Sequence, residues 1–471
     1  MTAEEDTLAT AEAPPRYSEL IGEARQALGI TLFWLALPVL GEQFLTSCVG
    51  LVDTLIAGRI SRAATIAVGL ASYVNWFAML LSHFVTAGTH ALVSRHWGAA
   101  ERHDAEAVAN ESIRVAALAG VLLGGVFFAI APAFARIQGL EGEAYAVTVQ
   151  YLRVTAFAQP FTTLFLVAAY SLRAVGDMRT PMLVSVFANV VNALVSWFLT
   201  FGIAGVFEGI GVKGIAVGTV AARVLSALVL LGMMAGGLLC FRLRGWTHPL
   251  ELGIIRRVLR IGAPAAAEGV IMWTGQLVFL VVIGHLAGGT LGEAYYAAHV
   301  VGIRIESLTY LPAVAWGAAG ATLVGQFLGA RMPTEARRAG HTAAFQGAVL
   351  GLICGLCYYI WADALYALMH HDPLVRRVGV PAFRMLAFFQ PLLVMAIVYG
   401  GCLRGAGATR LQLTVTSIGI VAVRLPLAVL AGILLRRGLI GAWTGMCTDI
   451  AVRAGLGYWL FRRGKWADHI P

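Results

Sequence analysis

The sequence predicts an all-α integral membrane protein of twelve transmembrane helices arranged as two parallel six-helix repeats. Three observations predict it. Over 471 residues the composition is 59% hydrophobic and 13% charged, with a mean hydropathy of +0.78, whereas a soluble domain carries roughly 25% charge. Apolar runs near the roughly 20 residues needed to cross a bilayer recur twelve times along the chain. Two stretches of chain also repeat each other at a fixed offset.

The apolar runs lie at about 30–57, 65–92, 105–131, 144–170, 181–203, 214–240, 255–285, 294–327, 335–361, 374–402, 411–435 and 440–461. The connecting segments give the orientation. Lys and Arg number 19 in the two tails and the even-numbered loops, against 8 in the odd-numbered loops, which predicts that both termini are cytoplasmic in a cell (cytoplasmic or inner) membrane. The net charge of +9 comes from 32 Arg and 2 Lys dispersed along the chain, so no basic patch points to nucleic acid. The first 28 residues open with Glu4, Glu5 and Asp6 and lack a basic n-region and cleavage site, so the first run reads as a retained span. All six cysteines fall on predicted helices, which argues against a disulfide framework; Cys354 and Cys357 form a CxxC without the two further ligands of a structural zinc site.

The repeat is gapless at an offset of 231 over two pieces. Phe157-Ala158-Gln159-Pro160 recurs as Phe388-Phe389-Gln390-Pro391, and the block from Leu172-Arg173 to Arg179 recurs from Leu403-Arg404 to Arg410. The same offset carries Gly98 to Gly329 and Arg153 to Arg384; nearer the start it is 226, carrying Pro38, Glu42 and Gly58 to Pro264, Glu268 and Gly284. The expected organisation is an N-terminal tail (1–28), an N-lobe (29–241), a basic linker (242–254), a C-lobe (255–462) and a C-terminal tail (463–471). An even number of spans per repeat makes the repeats parallel, a transporter architecture with sites near the bilayer midplane. Asp53 maps onto Phe279, so whatever the carboxylate does belongs to the N-lobe alone.

Asp53 sits inside the apolar stretch GLVDTLIAGR, where a charge costs about 2.5 to 3.5 kcal/mol on insertion scales, and is therefore a candidate functional group. Glu42, Thr46, Gly50, Asp53 and Ala57 share one helix face, and Pro38 predicts a kink near its start. The competing reading puts Asp53 at the outer interface, paired with Arg59 or Arg62. Asn189, Asn192 and Ser196 share a face on the fifth run, either as a polar site or simply as hydrogen-bonding links between helices. On the eighth run His299 and Glu306 share a face, whereas Arg304 does not and is expected to pair elsewhere. His83 and His90 read as hydrogen-bonded helix-contact histidines, with a proton relay the alternative. Gly209-Ile-Gly211-Val-Lys-Gly214 matches GxGxxG but falls in a turn between spans with no preceding strand expected. With no P-loop, catalytic triad or HExxH, the chain reads as a non-enzyme without cofactor.

Five stretches in order, LPVLGEQFLTSCVGLVDTLIAGRIS (37–61), LRAVGDMRTPMLVSVFANVVNALVSWFLTFG (172–202), AYYAAHVVGIRIESLTYLP (294–312), TLVGQFLGA (322–330) and VRLPLA (423–428), resemble the multidrug and toxic compound extrusion (MATE) family. The segment with His299, Arg304 and Glu306, together with Pro264 and Glu268, resembles its DinF-like branch. The resemblance implies two bundles around a central cleft, alternating access, and efflux of lipophilic, often cationic compounds in exchange for H⁺ or Na⁺. It implies that Asp53 is the coupling carboxylate and that Tyr151, Asn192 and Thr219 line an N-lobe cation site. Where many members carry a second aspartate, this chain has Ser196.

Asp53, Tyr151, Asn192, Ser196 and Thr219 could offer oxygens to a sodium ion, with Asp53, Asn192 and Thr219 foremost, but they bring only one charge. Desolvation disfavours the charged form of a lone carboxylate, so proton coupling is expected, with Na⁺ the alternative. Pro38, Glu42, Asn189, Glu268, His299, Arg304 and Glu306 are candidate substrate or gating residues, Glu268 also a candidate second proton site. The expected partners are small organic molecules and the bilayer, for a monomer. A flippase for lipid-linked sugars is the alternative on the same fold, against which Arg153, Arg223, Arg304 and Arg384 are scattered rather than clustered. A non-transporting sensor or scaffold has little soluble surface to work with.

Overall fold

The computed structural model describes residues 19–203, 207–240, 242–243 and 249–468. Most of the expected N-terminal tail, part of the linker and the last three residues lie outside them. In order the helices are α1 (Glu19–Gly58), α2 (Arg62–Gly98), α3 (Arg102–Ile137), α4 (Gly142–Ala156), α5 (Gln159–Val175), α6 (Arg179–Phe201) and α7 (Val212–Ala235), then α8 (Leu252–Gly284), α9 (Gly289–Gly329), α10 (Pro333–Met369), α11 (Pro373–Ala387), α12 (Gln390–Gly405), α13 (Thr409–Leu434) and α14 (Gly438–Arg463). Among the described residues, nine helices are long and apolar enough to cross a membrane, and two bent pairs bring the number to eleven. The twelfth expected span is α14, a 26-residue helix whose apolarity is lowered by Asp449 and Arg453.

The bent pairs show the duplication in three dimensions. The chain turns by 45° between α4 and α5 and by 57° between α11 and α12, in both cases at the repeated Gln-Pro of the motif that starts with Phe157 or Phe388. Pro160 and Pro391 sit in the first turn of the second helix, where a missing N–H costs nothing but cannot continue the preceding helix.

Three local expectations are corrected. The first helix begins at Glu19 rather than near residue 30, and its backbone leaves helical geometry at Ala27 (φ −138°, ψ 55°) and not at Pro38. The GxGxxG stretch is preceded by a strand after all, β2 (Phe207–Glu208), paired antiparallel with β1 (Gly202–Ile203). This is a two-residue hairpin between spans, without the parallel βαβ frame a dinucleotide site needs. All six cysteines are free.

The lobes are joined at one end and separate at the other. One core cluster combines Ile21, Leu32 and Val39 of α1 with Trp316, Leu323 and Phe327 of α9; another combines Val85 and Val93 of α2 with Val258 and Ile261 of α8. Glycines bring the backbones into contact there: a Cβ on Gly88 would meet Val258, on Gly98 Gln326, on Gly262 Phe84 and on Gly329 Arg95. Polar bonds add to this seal. Thr322 Oγ1 donates to the Arg173 carbonyl at 2.8 Å and Gln326 Nε2 to the Ala174 carbonyl at 2.9 Å, so α9 satisfies last-turn carbonyls of α5. His90 Nε2 lies 3.1 Å from Thr322 Oγ1, a helix-contact role that crosses the lobes. At the far ends the cores are separate: Ile56, Ala57, Ala64 and Ile215 pack in the N-lobe, Phe279, Ala298, Tyr366 and Trp443 in the C-lobe. The molecule is therefore a V, closed on the side where α1 begins and α14 ends.

Candidate functional site

One buried ion pair is duplicated in the two lobes. In the N-lobe, Glu42 on α1 accepts from Arg173 Nη2 at 2.6 Å and from Ser185 Oγ at 3.0 Å. In the C-lobe, Glu268 on α8 accepts from Arg404 Nη1 at 3.1 Å, Thr416 Oγ1 at 2.9 Å and Gln412 Nε2 at 2.8 Å. Glu42 and Glu268, Arg173 and Arg404, and Ser185 and Thr416 are each related by the repeat. Both carboxylates are thus ion-paired and hydrogen-bonded within their own lobe, so Glu268, the candidate second proton site, is held by Arg404, Gln412 and Thr416. The duplication also relates Gln159 Nε2 donating to Asn75 Oδ1 at 3.4 Å with the bond between Gln390 and Glu306.

Asp53 has no counterpart and no such partner. It shares the α1 face of Ile56 and Ala57, which packs into the N-lobe, and its buried Oδ1 has no hydrogen-bond partner among the described residues. Arg59 does not pair with it but lies over the Trp197 ring at 5.4 Å. The charges that reach Asp53 come from inside the lobe: Arg223 on α7 lies within its electrostatic field, as does the Tyr151 hydroxyl on α4. Tyr151 bonds Thr219, which accepts from Asn192 Nδ2 at 3.4 Å and donates to the Ile215 carbonyl at 3.1 Å. Asn192 Oδ1 and Asn189 Nδ2 are buried without partners among the described residues.

Tyr151, Thr219 and Asn192 thus form one hydrogen-bonded chain in the unsealed half of the N-lobe, and Asp53 lies within electrostatic reach of Tyr151 without a hydrogen bond to that chain among the described residues. Ser196 borders this group and shares the Ile215 carbonyl with Thr219. The Ser196 hydroxyl points at the α6–α7 contact, 3.5 Å from the Ile215 carbonyl, where Gly218 leaves room for it. Sequence reasoning had counted Arg223 only as one of several dispersed arginines; its electrostatic reach to Asp53 follows from α7 packing on both α4 and α6.

The C-lobe holds a different group. Asp449 on α14, 0% exposed, accepts from Arg453 Nε at 2.7 Å and from Arg424 Nη2 at 2.7 Å. Arg424 stands in a π-helical stretch, Ile418–Arg424, and also reaches Gln276 Oε1 at 3.4 Å. Glu306, 3% exposed, lies in the field of both arginines. His299 accepts from Trp443 Nε1 at 3.2 Å and packs on Phe279. Arg304 is exposed, with no ion pair among the described residues, which corrects the expectation that it pairs elsewhere. Asp449 was missed from sequence; the signal was available as an Asp-Arg pair at i, i+4 inside an apolar run.

A duplicated helical V with polar groups inside each lobe is the architecture of a membrane transport protein. The MatE family model matches residues 38–198 and again 264–430, starting at the two prolines that the repeat equates, and the chain belongs to that family. It is 31% identical to "Probable multidrug resistance protein NorM" of Thermotoga maritima over 439 residues, 92% of each chain, and 23% identical to "Uncharacterized transporter YisQ" of Bacillus subtilis over 93% of this chain and 94% of that one. Among solved structures it is similar to an outward-facing multidrug resistance MATE transporter of the MOP superfamily, with a TM-score of 0.87 at 20% identity over 97% of this chain and 100% of that one. A MOP superfamily transporter from Pyrococcus furiosus, whose structure is described by a reversed polarity of its binding pocket, matches with a TM-score of 0.88 at 20% identity over the same shares.

Proposed function

We propose that this chain is a secondary active efflux antiporter that exports lipophilic or cationic organic compounds in exchange for H⁺ by alternating access, with Asp53 as the coupling carboxylate. The observation that carries the reading is that Asp53 lacks a fixed ion pair: in the unsealed half of the N-lobe its buried oxygen has no hydrogen-bond partner among the described residues, while Glu42 and Glu268 are ion-paired. A carboxylate free of a fixed ion pair can exchange a proton or a cation as the cleft changes its access.

The neighbours favour H⁺ over Na⁺. Asp53 Oδ1, Asn192 Oδ1 and Thr219 Oγ1 are the oxygens that would hold Na⁺, but Arg223 already sets a positive charge against the single carboxylate, so a further cation gains little. Exchange of one H⁺ for one monovalent cation moves no net charge, leaving the pH gradient as the driving force, about 1.4 kcal/mol per unit. The positive-inside count supports cytoplasmic termini, which makes the structure closed to the cytoplasm and open outward. The names of the NorM relatives support a drug-like cargo. The DinF-like affinity rests on His299, Arg304, Glu306, Pro264 and Glu268 alone, since the relatives named above carry other names.

The test is efflux of a fluorescent organic cation from proteoliposomes under separately imposed pH and Na⁺ gradients. Wild type responds to the pH gradient and Asp53→Asn does not; an Asp53→Asn protein that exchanges drug for protons at the wild-type rate refutes the assignment, and a response to Na⁺ alone refutes the ion.

A further inference from the structure

Arg153 and Arg384, equated by the repeat, mark a surface unrelated to the cleft. Each guanidinium lies over an aromatic ring, Arg153 over Phe128 at 4.9 Å and Arg384 over Tyr359 at 5.8 Å, and in each lobe that ring meets a second one, Phe157 at 5.8 Å or Phe388 at 5.2 Å. All three positions of the motif are related by the same offset. The fourth is not: Arg384 Nη2 is paired with Asp363 Oδ2 at 2.7 Å, and the N-lobe position equivalent to Asp363 is Pro132. Arg153 consequently has no ion pair among the described residues.

The N-lobe version opens into a groove of about 370 Å³ between α3 and α4, lined by Phe128, Tyr145, Val149, Gln150, Arg153 and Phe157. Its surroundings identify the solvent. Leu118, Val121, Leu122, Val126 and Ile130 of α3 are exposed, as is Phe157 beside the arginine; such an unbroken apolar face in a membrane protein meets acyl chains. The opposite face of α4, with Thr148, Tyr151, Leu152 and Thr155, is buried in the lobe. Arg153 stands eleven residues into α4, about 16 Å from its start, and its long stem can carry the charge toward the headgroups of the leaflet on the open side of the V. A guanidinium held among lipids without a protein carboxylate needs an anion, and the anion that a bilayer supplies is the lipid phosphate, which an arginine fork matches in geometry.

We propose that the α3–α4 groove is a phospholipid site in which Arg153 binds the phosphate, the Phe128 and Phe157 rings hold an acyl chain, and Asp363 occupies the equivalent arginine in the C-lobe so that only the N-lobe takes the lipid. The proposal is independent of the transport reading.

The full-length protein, purified in detergent and titrated with phosphatidylglycerol, is followed by native mass spectrometry, with inorganic phosphate in a parallel titration. Arg153→Ala is expected to weaken the tightest phosphatidylglycerol adduct by tenfold or more, Arg153→Lys by less, and Arg384→Ala not at all; inorganic phosphate competes only weakly. Asp363→Ala, which frees Arg384, is expected to add a second adduct. Undiminished binding by Arg153→Ala, an equal loss in Arg384→Ala, or no gain in Asp363→Ala overturns the proposal. Arg153→Lys guards against misfolding, because it keeps the charge and the packing of the stem.

Discussion

Arg173 reaches across from the end of α5 to Glu42 at 2.6 Å, with both side chains 7% exposed. The pair ties α1 to the rest of the N-lobe, and the carbonyl of the same arginine accepts from Thr322 of the other lobe. One residue thus links the internal structure of a lobe to the seal between lobes.

Breaking that pair leaves a buried charge uncompensated, which costs about 3–5 kcal/mol. Arg173→Met is therefore expected to lower the apparent Tm in detergent strongly, and the double variant Arg173→Met with Glu42→Met to recover most of the loss. A double variant as unstable as the single one would show that packing and not charge is at stake. Glu268→Gln is expected to be milder than Glu268→Ala, because Gln412 and Thr416 can still donate to its remaining oxygen.

Cation binding to the open form is expected to depend on pH through Asp53. Protonation removes the negative charge, so affinity for a cationic fluorophore falls as pH falls and rises as pH rises. In Asp53→Asn that dependence is expected to flatten, as measured by fluorescence polarisation across a pH series. A wild-type slope that survives in Asp53→Asn assigns the titration to another group.

The seal depends on close backbone approach. A side chain at Gly262 meets the backbone of Phe84, so Gly262→Val is expected to force the sealed ends apart, whereas Gly455→Val, with open space around it, is expected to be silent. Labelling of a cysteine at Ser94 by an impermeant maleimide, in a background lacking the native cysteines, reads the difference: labelling increases in Gly262→Val and not in Gly455→Val.

Asp449 is the shared acceptor of two arginines. Asp449→Asn leaves Arg424 and Arg453 with Glu306 as the remaining acid in the cluster, and is expected to destabilise the C-lobe by about 3–5 kcal/mol, seen as a lower Tm. The conservative Arg453→Lys is expected to cost less, since Arg424 keeps its own bonds to Asp449.

Periodicity, charge bias and the internal repeat were local or linear signals, so span number, the duplication and the twin glutamates were legible from residues alone. So was the singular position of Asp53, because Phe279 stands where a second carboxylate would be. The partners were not. That Glu268 is spent on Arg404 while Asp53 keeps a free oxygen depends on contacts between helices more than 130 residues apart, and which oxygens meet depends on crossing angles that a helix face does not encode.

By itself the sequence determined a membrane-spanning, twofold-repeated helical chain, because burial of apolar surface and closure of backbone hydrogen bonds in lipid leave few other solutions. Only the tertiary structure decided that Arg223 acts on Asp53 from within the lobe, that Ser196 and Thr219 share one carbonyl, that Asp449 gathers Arg424 and Arg453, and that the lobes meet at one end. Each of these is a matter of which faces touch, set by small residues such as Gly88, Gly218 and Gly262 that let backbones approach and so choose the neighbours of every charge.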